Sequence, residues 1–157
     1  MSRLYTVEFD AVAVSAAQDF FELTPADDKP VLIKAIRLFQ YGTADYGDAQ
    51  AEGLSIKFIR GFTTSGSGGS APTPTPIDPN DAAAGFACEV NNTTVANTGT
   101  TTTVWADGFN VQAGYQENWP EDDMAPQASQ ANTSIVCRVT APNDGLTMNG
   151  VLLVKEL

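Results

Sequence analysis

No histidine occurs among these 157 residues, and cysteine occurs only twice, at Cys88 and Cys137. Without imidazole, the familiar Ser-His-Asp and Cys-His arrangements are excluded, and the commonest metal ligand is missing. No SxxK or GxSxG stretch supplies another activated serine, and no CxxC pair offers thiolates to zinc. Cofactor and catalytic sites are therefore expected to be absent, and the chain reads as a non-enzyme. Each cysteine lies in a strand-like apolar run, Phe86 to Val90 or Ile135 to Val139. Buried free thiols are the ordinary reading; a disulfide between neighbouring strands is the alternative.

Positive charge is scarce too. Eight Lys and Arg stand against 19 carboxylates, for a formal net charge of −11. A field of that sign repels phosphate backbones, so nucleic acid is excluded as a partner. Charged residues make up only 17% of the chain, which suggests that part of the surface is covered by partners. Long apolar runs are missing as well. No stretch approaches the roughly 18 residues that a membrane helix needs, so no membrane partner is expected. Met1 to Asp10 carries no signal-like apolar core, so synthesis in a cytoplasm and retention in soluble form is the expectation.

What the chain does have is alternation. Tyr5 to Phe9 and Leu54 to Phe58 place apolar residues at every second position, as half-buried strands require. Pro30 to Phe39 is apolar on both faces and reads as a central strand. Asp19 to Leu23, Phe86 to Val90, Thr101 to Trp105, Phe109 to Tyr115, Thr133 to Thr140 and Leu146 to Val154 complete about nine strands. Turn residues separate them at Thr24 to Asp28, Tyr46 to Asp48, Asn97 to Gly99 and Pro142 to Gly145, the last reading as a hairpin. No helix of three turns is predicted; Ala49 to Glu52 reads as a single turn at most. The fold class is all-β, one domain over residues 1–157, with a jelly roll leading and an immunoglobulin-like sandwich second.

One segment breaks the pattern. Thr63 to Ser70 is Gly/Ser-rich and reads as flexible, and Ala71 to Pro79 carries alternate prolines that hold an extended path. Together they predict a long loop at about 62–82. Loops of that length in a compact domain are commonly functional or disordered, and a mobile surface loop is the alternative. Pro72, Pro74, Pro76 and Ile77 are accordingly candidate interface residues, and deleting Ser65 to Pro76 is expected to leave the domain folded. Trp119 and Met124, beside the acidic stretch Glu121-Asp122-Asp123, are further interface candidates; the alternative folds that loop back over the core. Phe20, Phe21, Phe39, Phe58, Phe86 and Trp105 are assigned to the core. Asp27-Asp28, Asp45 to Asp48 and Glu121 to Asp123 are read as solvated turns, with calcium binding as the alternative. Asn91 to Thr94 and Asn132 to Ser134 match the glycosylation acceptor pattern but read better as turn and strand-edge residues.

Several stretches carry a family resemblance. Ile59 to Pro74, Asp81 to Phe86, Glu89 to Thr94, Ala131 to Thr133 and Leu146 to Met148 resemble small virion proteins of tailed bacteriophages, and Val12 to Phe21 looks similar. The resemblance covers most of the chain and contains no catalytic motif. It implies a head decoration or cement protein, made in the host cytoplasm, carried on the head surface of the virion and bound to major capsid subunits. It also implies self-association as a homotrimer. The alternative is a tail-associated or host-glycan-binding β module.

Overall fold

A computed structural model describes residues 2–41, 51–130 and 133–157. Among the described residues, eleven strands form two antiparallel sheets. Sheet A contains β1 (Arg3–Val14), β3 (Val31–Gln40), β5 (Thr75–Pro76), β8 (Tyr115–Asn118), β9 (Gln127–Ala128) and β11 (Leu146–Glu156). Sheet B contains β2 (Gln18–Thr24), β4 (Gly53–Arg60), β6 (Ala87–Asn92), β7 (Thr102–Asn110) and β10 (Ile135–Val139). Removing the short additions β5, β6 and β9 leaves the orders β1-β11-β3-β8 and β2-β10-β4-β7. Consecutive strands alternate between the sheets, except for β4 and β7, which pair within sheet B; this is the arrangement of two interlocked Greek keys, a jelly roll.

The alternation seen in the sequence decides which side chains face inward. On β11, Leu146, Met148, Leu152 and Val154 are buried, with the residues between them half-exposed. Tyr5, Val7 and Phe9 on β1 pack from the same side, and Phe21, Leu23, Ile56, Phe58 and Cys137 meet them from sheet B. The ladder between β2 and β10 slips by one residue at Phe20. Both Phe20 and Phe21 consequently reach Phe9, at ring-centroid distances of 5.3 and 5.4 Å. Cys88 and Cys137 are free and buried, on β6 and β10 with β2 lying between them. Burial pushes both thiols well up, so neither ionises readily.

Several expectations are corrected. Thr101 to Trp105 and Phe109 to Tyr115 do not form two strands: β7 runs unbroken through Gly108, and the turn falls at 111–114. Pro142 to Gly145 does reverse the chain, yet β10 and β11 sit in opposite sheets, so it is a crossover and not a hairpin. Turn chemistry fixes a reversal; burial of the flanking faces chooses the pairing partner. Phe39 is 44% exposed on the outside of sheet A instead of filling the core, and Trp105 is only partly buried. The turns expected at Tyr46 to Asp48 and Asp45 to Asp48 lie outside the described residues, as do half of the expected turn at Ala49 to Glu52 and Asn132.

The largest correction concerns the loop at 62–82. Its Gly/Ser half is a docked strap. Residues 64–70 run antiparallel to 90–97 through bridges at Thr64 and Asn97, Ser67 and Thr94, and Ser70 and Val90. This ribbon lies over the outer face of sheet B, where Ile59, Phe62, Ala96 and Val136 form a second small apolar cluster. Beneath it Glu22, 2% exposed, accepts the Ser65 hydroxyl at 2.7 Å and the Gly66 N–H at 3.0 Å. Asp19, fully buried, holds the Arg138 guanidinium through two hydrogen bonds and accepts the Ala96 N–H at 2.7 Å. Arg138 also donates to the Ala96 carbonyl. Breaking such a buried pair by removing one partner costs about 3–5 kcal/mol.

Glycine serves close approach here. A Cβ at Gly69 would stand 2.0 Å from the Val90 carbonyl oxygen, and one at Gly68, with φ of +88°, would stand 2.4 Å from Thr93 Oγ1. The proline half then crosses to sheet A, where β5 pairs with Tyr5 and Thr6 at the edge of β1. Proline is tolerated there because an edge strand has one side free of ladder bonds.

Two substitutions separate docking from flexibility. Gly69→Ala is expected to lower unfolding free energy by about 2 kcal/mol or more in urea melts. Gly145→Ala, with nothing within 4 Å of the added methyl, is expected to change it by less than about 0.5 kcal/mol. Equal effects at the two positions would show that the strap is loose.

Candidate functional site

With the ribbon covering much of sheet B, the outer face of sheet A is left bare across its centre. The register aligns its outward side chains in rows across the strands. Thr6, Leu153, Ala35 and Asn118 form one row, and Glu8, Val151, Arg37 and Gln116 form the next. Asn149 and Phe39 pair beyond them. The two ends of this face differ in character.

At one end several large apolar side chains are exposed, beside the ion-paired Asp122 and Lys155. Leu4 and Leu157 point outward by strand alternation, and Ile77 N–H donates to the Leu4 carbonyl at 2.9 Å, which extends the β5 ladder and puts Ile77 beside Leu4. The segment after Trp119 brings Met124 over the same end. Its anchor is Asp122, whose two carboxylate oxygens accept from Lys34 Nζ at 2.8 Å and Lys155 Nζ at 2.5 Å. Lys155 is the register partner of Leu4. Hydrogen bonds from Lys155, then Lys34, hold the Asp122 carboxyl below its usual pKa. With both oxygens engaged by ammonium groups, Asp122 is not disposed to ligate calcium. No group of three or more His, Cys, Asp or Glu is placed to hold a metal among the described residues.

The interface candidates named from the sequence separate accordingly. Ile77 is 55% exposed and Met124 63% exposed, and both belong to the apolar end. Pro72 and Pro76 are half-buried, and Pro74 is buried against its own domain, because the strip closes the side of the sandwich. Trp119 is not an interface residue: of the two readings, the structure shows the loop folded back over the core. At 1% exposure it lies in the core, edge-on to Phe58 and Trp105 at 5.6 and 5.3 Å, with its backbone N–H bound to the Lys34 carbonyl. The acidic residues after it suggested a solvated loop, but the ladder of β8 on β3 carries Trp119 one step further inward. Leu4 and Leu157 escaped sequence reading because alternation alone does not reveal which outward residues are later covered.

At the other end lies a cavity of about 320 Å³, lined by Glu8, Phe9, Asp10, Arg37, Phe39, Asn149, Gly150 and Val151. A second hollow of about 230 Å³, bordered by Ala35, Asn118 and Leu153, shares Arg37 and Val151 with it. β1 bulges between Phe9 and Val12, and Asn149 Oδ1 accepts the N–H of Ala11, which adopts a left-handed φ of 51°.

The buried carboxylates have structural employment elsewhere. Glu156 accepts the Gly85 N–H at 2.8 Å, and the Tyr5 hydroxyl bonds the Ala82 carbonyl and Glu156, tying the loop before β6 to sheet A. Burial, and then the charge of Glu156, raise the Tyr5 phenol. Tyr115 accepts from the Trp105 indole and donates to Asp107, and burial pushes it up to about 12.

Because the folded pKa of Asp122 is depressed, its contribution is present above the ordinary carboxylate range and fades as pH falls through the lower folded value. Asp122→Asn is therefore expected to lower Tm at neutral pH, with the gap from the parent protein closing in strong acid. A gap that widens toward acid would contradict the double lysine clasp.

No protein family matches the chain, and no curated protein does. Among solved structures, a chain of the infectious bursal disease virus Gx strain aligns over 99% of this chain and 32% of its own, at 16% identity and a TM-score of 0.33. A chain from infectious bursal virus derived T=1 particles aligns over 98% and 31%, at 13% identity and 0.27. A chain of an expanded equine rhinitis A virus particle aligns over 98% and 66%, at 16% identity and 0.17. The chain thus spans about a third of the first two. At these scores the fold assignment rests on strand order, and what the chain is similar to is a set of viral particle chains.

Proposed function

We propose that this protein is a structural component of a virion, a decoration or cement protein that seats its apolar sheet A end on major capsid subunits of a phage head. The observation that carries the reading is the exposure of Leu4, Ile77 and Leu157 at the same end of sheet A, with Met124 exposed on the segment that Asp122 ties to Lys155 there. Each is a large apolar side chain left in water. Covering the exposed portion of such a residue yields about 1 kcal/mol, since full burial yields about 1.5–3 kcal/mol. Four of them make a modest contact. Association as a homotrimer would multiply it, because copies linked on one lattice rebind at high effective concentration.

Three further features support the reading. The resemblance of Ile59 to Pro74 and of the downstream stretches to small phage virion proteins points to the head. The sandwich presents its patch on paired strands, so little ordering is lost on docking. The buried carboxylates Asp19, Glu22 and Glu156 accept hydrogen bonds from loop backbone, which fits a structural role.

The test is attachment. Leu4→Lys combined with Ile77→Asp is expected to keep the native melting profile and lose sedimentation with purified heads stripped of this protein. Parent protein should restore head stability, and sizing by light scattering should give three copies per particle in solution. Undiminished attachment of the double variant would refute the docking end.

A further inference from the structure

We infer that the cavity at the opposite end of sheet A is a binding site for a neutral pyranose sugar, with Phe39 as the stacking platform. Sugar rings present a face of C–H groups and an equator of hydroxyls. They are held by an open aromatic face flanked by planar groups that donate and accept in the plane of the ring. This cavity supplies both. Phe39 is 44% exposed and lines the cavity, so its ring is open to a ligand. A Cβ at Gly114 would stand 2.8 Å from the Phe39 ring, so the bare glycine lets the backbone support one side of it. On the remaining borders stand Glu8 and Asp10 as acceptors, Arg37 as donor and the Asn149 amide. Asn149 is fixed by its bond from Ala11, and the adjoining bulge turns the β1 edge at that place. Bulges are found where a strand has to re-aim its side chains.

Neutral sugars fit better than acidic ones. Two carboxylates border the cavity and the chain carries a net charge of −11. The hollow bordered by Ala35, Asn118 and Leu153 continues past Arg37, giving room for a second ring of an oligosaccharide. The site is independent of the apolar docking end, and it stands or falls apart from the virion reading.

Isotope-labelled full-length protein titrated with cellohexaose, maltohexaose and chitohexaose would decide the matter. At least one sugar is expected to produce saturable shifts of the Arg37 Nε–H, the Asn149 side-chain amide and the Val151 amide, with a Kd on the order of 1 mM. Phe39→Ala should weaken that binding roughly tenfold or more, Phe39→Tyr should retain it, and Glu8→Gln should reduce it while leaving the rest of the spectrum in place. Failure of all three sugars to shift these signals would overturn the inference. So would undiminished affinity in both Phe39→Ala and Glu8→Gln, since binding would then lie elsewhere.

Discussion

Asp19 and Glu22 are carboxylates on the outward side of β2 that have no access to water. Burying them is tolerable only because every approach supplies a donor: Arg138 and the Ala96 N–H for one, Ser65, Gly66 and Asn92 for the other. The bonds from Ser65, Gly66 and Ala96 tie the ribbon of residues 64–70 and 90–97 to sheet B. They bring the ribbon down close enough for Phe62 and Ala96 to shield Ile59 and Val136. Without the charges the ribbon would have only a four-residue apolar cluster to rest on. Without the ribbon the carboxylates would lose the donors Ser65, Gly66 and Ala96, and Val136 would lose its cover. Each requires the other, and the geometry is specific because carboxylate bonds of this kind demand direction as well as distance.

Cladding one sheet has consequences for the other. The same insertion between β4 and β7 supplies β5 and β6, adding one strand beside β1 and one beside β2, so the side of the sandwich that would be open is closed by the proline strip. Surface left for recognition is thereby concentrated on the outer face of sheet A. The face is divided by chemistry. Asp122, clasped by Lys34 and Lys155, pulls one loop over the apolar end, while the β1 bulge and the exposed Phe39 shape the polar end. A rigid antiparallel scaffold carries two different surfaces, which suits a protein that holds one partner while offering a second site outward.

Strand positions were legible from period-2 alternation wherever one face of a strand is buried, as along β1, β4 and β11. The reading faltered where neighbours intervened. β2 is buried on both sides because the ribbon covers it, so Asp19 and Glu22 carry no local mark of burial. Trp119 reads as exposed from its acidic surroundings and is enclosed by Phe58 and Trp105, which are remote in sequence. Of the interface candidates, Ile77 and Met124 remain exposed and Pro74 and Trp119 do not. Leu4, Leu157 and the cavity residues emerge only once strands are set side by side.

The sequence by itself determined an all-β sandwich, a histidine-free chemistry and an acidic surface, because alternation, composition and charge are local properties summed along the chain. Which strands pair, which carboxylates are buried and what the glycines are for were decided by tertiary structure. A glycine looks the same in the sequence whether it loosens a linker or admits a carbonyl oxygen to within van der Waals reach. Only the position of Val90 against Gly69 distinguishes the two. Contacts across more than twenty residues of chain are set by packing, and packing is where this protein departs from what its composition suggests.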